Sequence, residues 1–191
     1  MRYRPAVPED RDRITALHIE GGQQAYAGIL PRTYLLEVLP QEKEALWRQR
    51  LDRGVDGLKL SVTVAESSTD IAGFACFLFD QKTDFGTYLH NIYVSASFQR
   101  RGVASGLLIA GIDTFSIALG ERPVHLLVFL ENLPARAFYD RLGGKIVEQF
   151  ERAYDGHPSV GLVRYQWASA QQMKQAALNL APMAKGLPVL P

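Results

Sequence analysis

The sequence predicts an α+β domain: a mixed, mostly antiparallel sheet of seven strands with one parallel pair at its centre, flanked by helices. Three observations predict it. Strand patterns, with a period of two at Leu60, Val62 and Val64 and a nearly continuous apolar run at 71–79, lie between residues 58 and 94, and two more strands follow between 145 and 167, as in strands joined by hairpins. In the middle, a strand pattern over 88–94, a helical pattern from 103 and a second strand pattern over 124–129 follow one another, which is how a parallel crossover reads. The chain has 191 residues, 47% hydrophobic and 21% charged, enough for one globular domain with a sizeable core.

The elements follow in order. Arg2 to Pro5 is a short edge strand ended by proline. Pro8, Glu9 and Asp10 open a helix with acids in its first turn, and Ile14, Leu17, His18 and Gly21 share one of its faces. Gln24 to Pro31 breaks the pattern as a loop. Residues 32–39 and 42–53 form two short helices, the second turning Trp47 and Leu51 inward, and Gly54 to Gly57 is a turn. Leu60, Val62 and Val64 alternate with Ser61 and Thr63 in a half-buried strand. Ser67 to Asp70 is a hairpin loop. Ile71 to Phe79 is an almost continuous apolar strand in which Cys76 is a small buried hydrophobe.

The polar loop Asp80 to Gly86 leads into the central strand, Tyr88 to Val94. Val103, Leu107, Leu108, Ile112, Phe115 and Leu119 hold helical spacing, which predicts a helix ending near Gly120. After the strand Val124 to Phe129, Asn132 opens a helix with Pro134 in its first turn, and that helix stops at Gly143 and Gly144. Two strands, 145–152 and 160–167, are joined by the turn Asp155 to Pro158. Ser169 to Leu180 is helical, and Ala181 to Pro191 carries three prolines. The domain is set at 1–167. Residues 168–191 are an extension, the helix plus a loosely held tail at 181–191, with docking on a second copy in a homodimer as one way to seat that tail.

A formal net charge of +1 gives no field that would draw the chain to nucleic acid or an anionic membrane. One cysteine rules out an intrachain disulfide. The first ten residues have no apolar core of a signal peptide, and no apolar run nears the ~18 residues of a membrane span. A cytoplasmic protein is expected. His18, His125 and His157 lack metal-ligand spacing, so no metal site is expected.

The chemistry concentrates where the central strand meets its helix, at Gln99-Arg100-Arg101-Gly102-Val103-Ala104-Ser105. A tight turn that feeds a helix points several free amides at one spot and adds the positive end of the helix dipole, which suits a phosphate. Gly102 lets the backbone approach an anion, and Arg100 and Arg101 bring charge-assisted donors. No GxxxxGK[ST] and no GxGxxG occurs, so the P-loop and dinucleotide readings fail.

The turn does match Q/R-x-x-G-x-G/A, and in this it resembles motif A of the GNAT superfamily of acyl-CoA-dependent N-acyltransferases. The resemblance continues in register. Asn132, Ala135 and Tyr139 match N-x-x-A-x-x-x-Y on the next helix, Phe138 and Leu142-Gly143-Gly144 fit the pattern that closes it, and Ala25 to Pro31 with Trp47 is similar to a signature of one branch. It implies the GNAT fold over residues 3–167, with the two central strands splayed and acetyl-CoA, the co-substrate, wedged between them. Backbone groups around Tyr93, at Ile92 and Val94, would pair with the pantetheine arm. Gln99, Arg100, Arg101, Gly102, Val103, Ala104 and Ser105 would hold the diphosphate. Asn132 would bond the arm, or simply cap its own helix. Ala104 stands where a second glycine is more usual.

The implied reaction is acetyl transfer to a primary amine. Such an amine has a pKa of about 10 and must lose a proton before it attacks, so the site needs a base and an acid. The resemblance makes Tyr139 the acid for the departing thiolate, against a purely packed aromatic. Many members have a glutamate where Tyr88 stands. His90, on the same face of the strand, is the candidate base, against a hydrogen-bonded sheet histidine, and its stretch is similar to that of serotonin N-acetyltransferase. Glu20, Tyr26 and Asp84 are candidates to meet the amine. The rival readings are a catalytically silent acyl-CoA-binding module and a nucleic-acid domain, the latter short of the basic stripe it would need.

Overall fold

In the computed structural model, which describes residues 1–52, 59–79, 84–154 and 157–181, one seven-stranded sheet runs through the molecule. Its strands are β1 (Arg2–Pro5), β2 (Leu60–Glu66), β3 (Ile71–Leu78), β4 (Thr87–Val94), β5 (Val124–Phe129), β6 (Lys145–Tyr154) and β7 (His157–Trp167). They lie in the order β1-β2-β3-β4-β5-β7-β6. Every neighbouring pair is antiparallel except β4 and β5. The connection between those two carries the helices α3 (Val103–Asp113) and α4 (Ile117–Gly120), as a parallel pair requires.

On one face lie α1 (Arg11–Ala25) and α2 (Leu39–Trp47), whose Ile14, Leu17 and Trp47 pack with Leu51 on Val62, Val64 and Phe74. On the other face, α3 packs with α6 (Ala170–Leu180) and with aromatic residues of α5 (Leu133–Arg141). β2 therefore has apolar partners on both sides: Val62 and Val64 toward α1, Ala65 toward α3. The expected half-buried strand is buried on both faces, because a helix layer covers each. Met173 and Ala177 of α6 are fully buried in the same cluster as Leu107 and Leu108 of α3.

Three element boundaries differ from the sequence reading. Residues 32–52 form one helical run rather than two helices, with π-helical turns at Tyr34–Val38 and Arg48–Asp52. Pro40 falls at the join, and the wide turn just before it loosens the ladder where its ring would meet the carbonyl four residues back. The helix from Val103 stops at Asp113, not near Gly120. Thr114 Oγ1 bonds back to the Gly111 carbonyl at 2.7 Å, and Ser116 starts the separate turn α4 by accepting from the Leu119 amide. The last two strands are longer than expected. The expected turn at 54–57, residues 80–83 of the expected loop 80–86, the tip at 155–156, the side chain of His157 and the tail from 182 lie outside the described residues. Among the described residues no helix is long and apolar enough to cross a membrane.

Candidate active site

β4 and β5 pair only at their starts, Thr87 with Val124 and Tyr88 with His125. Beyond that neck β4 runs on to Val94 and β5 to Phe129 without pairing to each other. The Ser95 amide bonds to the Ala72 carbonyl in β3 at 2.9 Å. Strand groups alternate sides, so those of Ile92 and Val94 point the other way, into the gap. A sheet interior that leaves such groups without a ladder partner is a place for an added strand-like ligand.

The gap leads up to the turn before α3. Gly102 sits at φ 78° and is the N-cap of α3, with no side chain capping the helix. The first intrahelical bond there is Gly106 amide to Gly102 carbonyl, 3.0 Å. The amides of Val103, Ala104 and Ser105 thus have no acceptor within the helix. Arg100 is the one non-glycine at positive φ, 58°, among the described residues, a conformation costing about 1–2 kcal/mol. Strain of this kind is kept where it shapes a site. Gln99 closes the top of β4 by donating from Nε2 to the Val94 carbonyl at 3.1 Å. Arg100 and Arg101 are exposed, with Arg101 5.8 Å from the centre of the Phe98 ring.

Tyr139 comes from α5, which starts where Asn132 Oδ1 accepts the Ala135 amide at 3.3 Å. Its ring packs near Tyr165 and Trp167. Burial holds its phenol well above the usual tyrosine range, and the hydroxyls of Tyr26 and Tyr88 add to the effect. Tyr93 is raised for the same first reason. Four phenols therefore lie close enough to influence one another. Tyr26 and Tyr93 bond to each other at 2.7 Å, and Tyr26 also packs edge-on against Phe129 at the end of β5, so it bridges the mouth of the splay.

His90 occupies a β-bulge. Cys76 faces Asn91 and Phe77 faces Leu89, which leaves His90 without a residue opposite. The extra residue turns the rest of the strand onto the other face: Leu89 lies in the core under α3, while Asn91 faces α1 and α2 beside His90. Arg50, at the end of the helical run, is 7% exposed and donates from Nη1 to Asn91 Oδ1 at 3.2 Å. A guanidinium can only donate, which fixes the amide oxygen toward it. His90 Nδ1, 2.6 Å from the same oxygen, must then carry its proton, and its Nε2 keeps a lone pair. Trp47 Nε1 donates to His18 Nδ1 at 3.0 Å, so His18 is protonated on Nε2, 3.3 Å from Asn91 Nδ2. One amide oxygen thus serves a site crowded with donors. Burial first, and then the Arg50 charge, lower the His90 pKa to about 4. That is well below the ordinary histidine value of about 6.5.

The match to known proteins fits this geometry. The acetyltransferase (GNAT) family model covers residues 26–144. The chain belongs to the GNAT family. The uncharacterized N-acetyltransferase YuaI of Bacillus subtilis is 27% identical over 163 residues, 83% of this chain and 90% of that protein. Among solved structures, the PaiA N-acetyltransferase of Thermoplasma acidophilum in complex with coenzyme A has TM-score 0.67 at 18% identity, over 87% of this chain and 98% of that one. The Salmonella typhimurium yncA structure with its cofactor acetyl-CoA has TM-score 0.62 at 18% identity, over 87% and 92%.

Within this GNAT chain, the phenols of Tyr139, Tyr88 and Tyr93 lie within electrostatic reach of one another, and His90 stacks edge-on to Tyr88 at 5.2 Å. Glu20 does not join them; it is exposed and 3.5 Å from Arg13. Asp84 is exposed as well. Cys76 is fully buried, with its thiol pushed up to about 11 by burial, so it is inert. Arg50 and Asn91 escaped the sequence reading. The one signal that pointed to them was an arginine beside an inward Leu/Trp helical face, with no charged partner in register.

Proposed function

We propose that the protein is an N-acetyltransferase that moves an acetyl group from acetyl-CoA to a primary amine by direct attack in a ternary complex. The observation that carries this is the divergence of β4 and β5 below an uncapped helix N-terminus. These residues fit the co-substrate. The Ile92 and Val94 backbone groups suit the amides of the pantetheine arm. The free amides at 103–105, with Arg100 and Arg101, suit its phosphates. Asn132 uses Oδ1 for its cap, which leaves Nδ2 to donate to the arm. The bound coenzyme of two proteins sharing this fold supports the same reading.

Acetyl-CoA supplies the acetyl group as a thioester. His90 Nε2, directly or across a water, takes one proton from the ammonium group. The amine nitrogen pair then forms the N–C bond while the Val94 amide donates to the carbonyl oxygen as charge gathers there. The C–S bond breaks with its electron pair on sulfur. Tyr139 gives its proton to that sulfur and regains one from the newly acylated nitrogen. Its raised pKa keeps the phenol protonated, as a donor must be, throughout the neutral range. The test is release of free thiol when the protein is mixed with acetyl-CoA and a panel of primary amines. Turnover with any amine, lost on Tyr139→Phe, is the expected result. Coenzyme binding without turnover on every amine would leave a silent acyl-CoA-binding module instead.

A further inference from the structure

Arg50 carries a positive charge into the protein interior, and no acid among the described residues meets it. Its contacts there are all neutral: Asn91 Oδ1 at 3.2 Å, His90 Nδ1 at 3.4 Å, Cys76 Sγ at 3.6 Å and the Trp47 ring at 5.3 Å. Two other part-buried arginines are compensated. Arg4 holds Asp10 and Glu66, and Arg164, which touches His125 much as Arg50 touches His90, holds Glu148 at 2.7 Å. A buried charge left uncompensated costs several kcal/mol, so its presence asks for a counter-ion. Among the described residues, the buried polar atoms without a partner belong to Thr63, Thr87, His125 and Arg136. Arg50 Nε and Nη2 are not in that set and have no bond to another described residue, so they keep contact with solvent. Lys43 adds to the same field, lowering the proton affinity of both His18 and His90.

We propose that the acceptor is a free α-amino acid, whose carboxylate is held by Arg50 while its amine faces His90. This rests on the acetyl-transfer reading above and names its substrate class. The two groups of such a molecule sit on one carbon, and the two side chains that would receive them touch each other. A guanidinium fork with two nitrogens free is the donor set a carboxylate takes. A carboxylate there would also offset the charge that holds the His90 imidazole neutral, so the amine would arrive together with the group that strengthens its base. Atoms balance: the ammonium loses one proton to His90 and a second to the thiolate by way of Tyr139, and the products are an N-acetylamino acid and free thiol.

The experiment compares each amino acid with the amine left by its decarboxylation, phenylalanine with phenethylamine and lysine with cadaverine among them, by thiol release from acetyl-CoA on the full chain. The expected result is that at least one amino acid is acetylated with kcat/KM 100-fold or more above its decarboxylated partner. In the Arg50→Gln variant that ratio should collapse through a higher KM for the amino acid, while the KM for acetyl-CoA is unchanged. Decarboxylated amines turned over as well as or better than every amino acid would overturn the proposal and leave the acetyl-transfer reading intact. The comparison is made on the unaltered protein, so its outcome does not depend on how Arg50→Gln folds. No turnover with either series, while acetyl-CoA binds, would sink both.

Discussion

Tyr139 and His90 meet the site with proton affinities displaced in opposite directions from their ordinary values, the phenol up and the imidazole down, in both cases chiefly by burial. Removing the Tyr139 hydroxyl deletes the donor and little packing, so Tyr139→Phe should lower kcat by about 10²-fold or more with the KM for acetyl-CoA nearly unchanged, as steady-state kinetics will show. His90 works as a base only when neutral, so kcat/KM should rise with pH through its value of about 4 and level off above it. Asn91→Asp places a carboxylate between His90 and Arg50. That favours the imidazolium, so the acidic limb of the pH profile should move upward; a limb that stays in place would separate His90 from the proton transfer. Tyr139 could be named from the sequence because the resemblance carries an N-x-x-A-x-x-x-Y helix onto Asn132, Ala135 and Tyr139. Arg50 could not, because it reaches His90 and Asn91 from 40 residues away in the chain, and a bulge that no local pattern announces brings those two to one face.

The fit of α1 against β4 depends on one missing side chain. A Cβ on Gly21 would stand 2.3 Å from Cδ1 of Tyr93, and the Tyr93 hydroxyl is tied to Tyr26, so the ring has little freedom to yield. Gly21→Ala gains up to about 1 kcal/mol of helix propensity yet should destabilise by about 1–3 kcal/mol through overpacking. Urea unfolding measures the balance, and a stabilised variant would refute the close approach. Strands were the more legible elements, since alternation in β2 and the apolar, β-branched runs of β3 and β4 mark them directly, and all seven are present, the last two longer than expected. Helix ends were less so. The run 32–52 hides its π turns behind a proline, and the spacing of Phe115 and Leu119 imitates a helix that Thr114 and Ser116 interrupt.

Acid should loosen the whole fold through its histidines. Burial first lowers His18 to about 2 and His90 and His125 to about 4, against about 6.5 in the unfolded chain. Between pH 4 and 6.5 the unfolded state therefore binds more protons, so stability rises with pH there and is lost as pH falls from about 6.5. Each of the three adds a slope of up to about 1.4 kcal/mol per pH unit. Thermal melts from pH 4 to 8 should show a steep fall below 6.5 and little change above 7. At this scale the fold was legible and the extension was less so: α6, set apart by its late position, has Met173 and Ala177 fully buried in the cluster under the sheet. That cluster backs the strands whose divergence makes the cleft proposed for coenzyme. Amide chemical-shift mapping of the full chain titrated with coenzyme A locates the binding site. The largest changes should fall at Ile92, Val94 and the amides of 100–105; saturable binding with those amides unmoved, or no binding at all, would place the coenzyme elsewhere or nowhere on this fold.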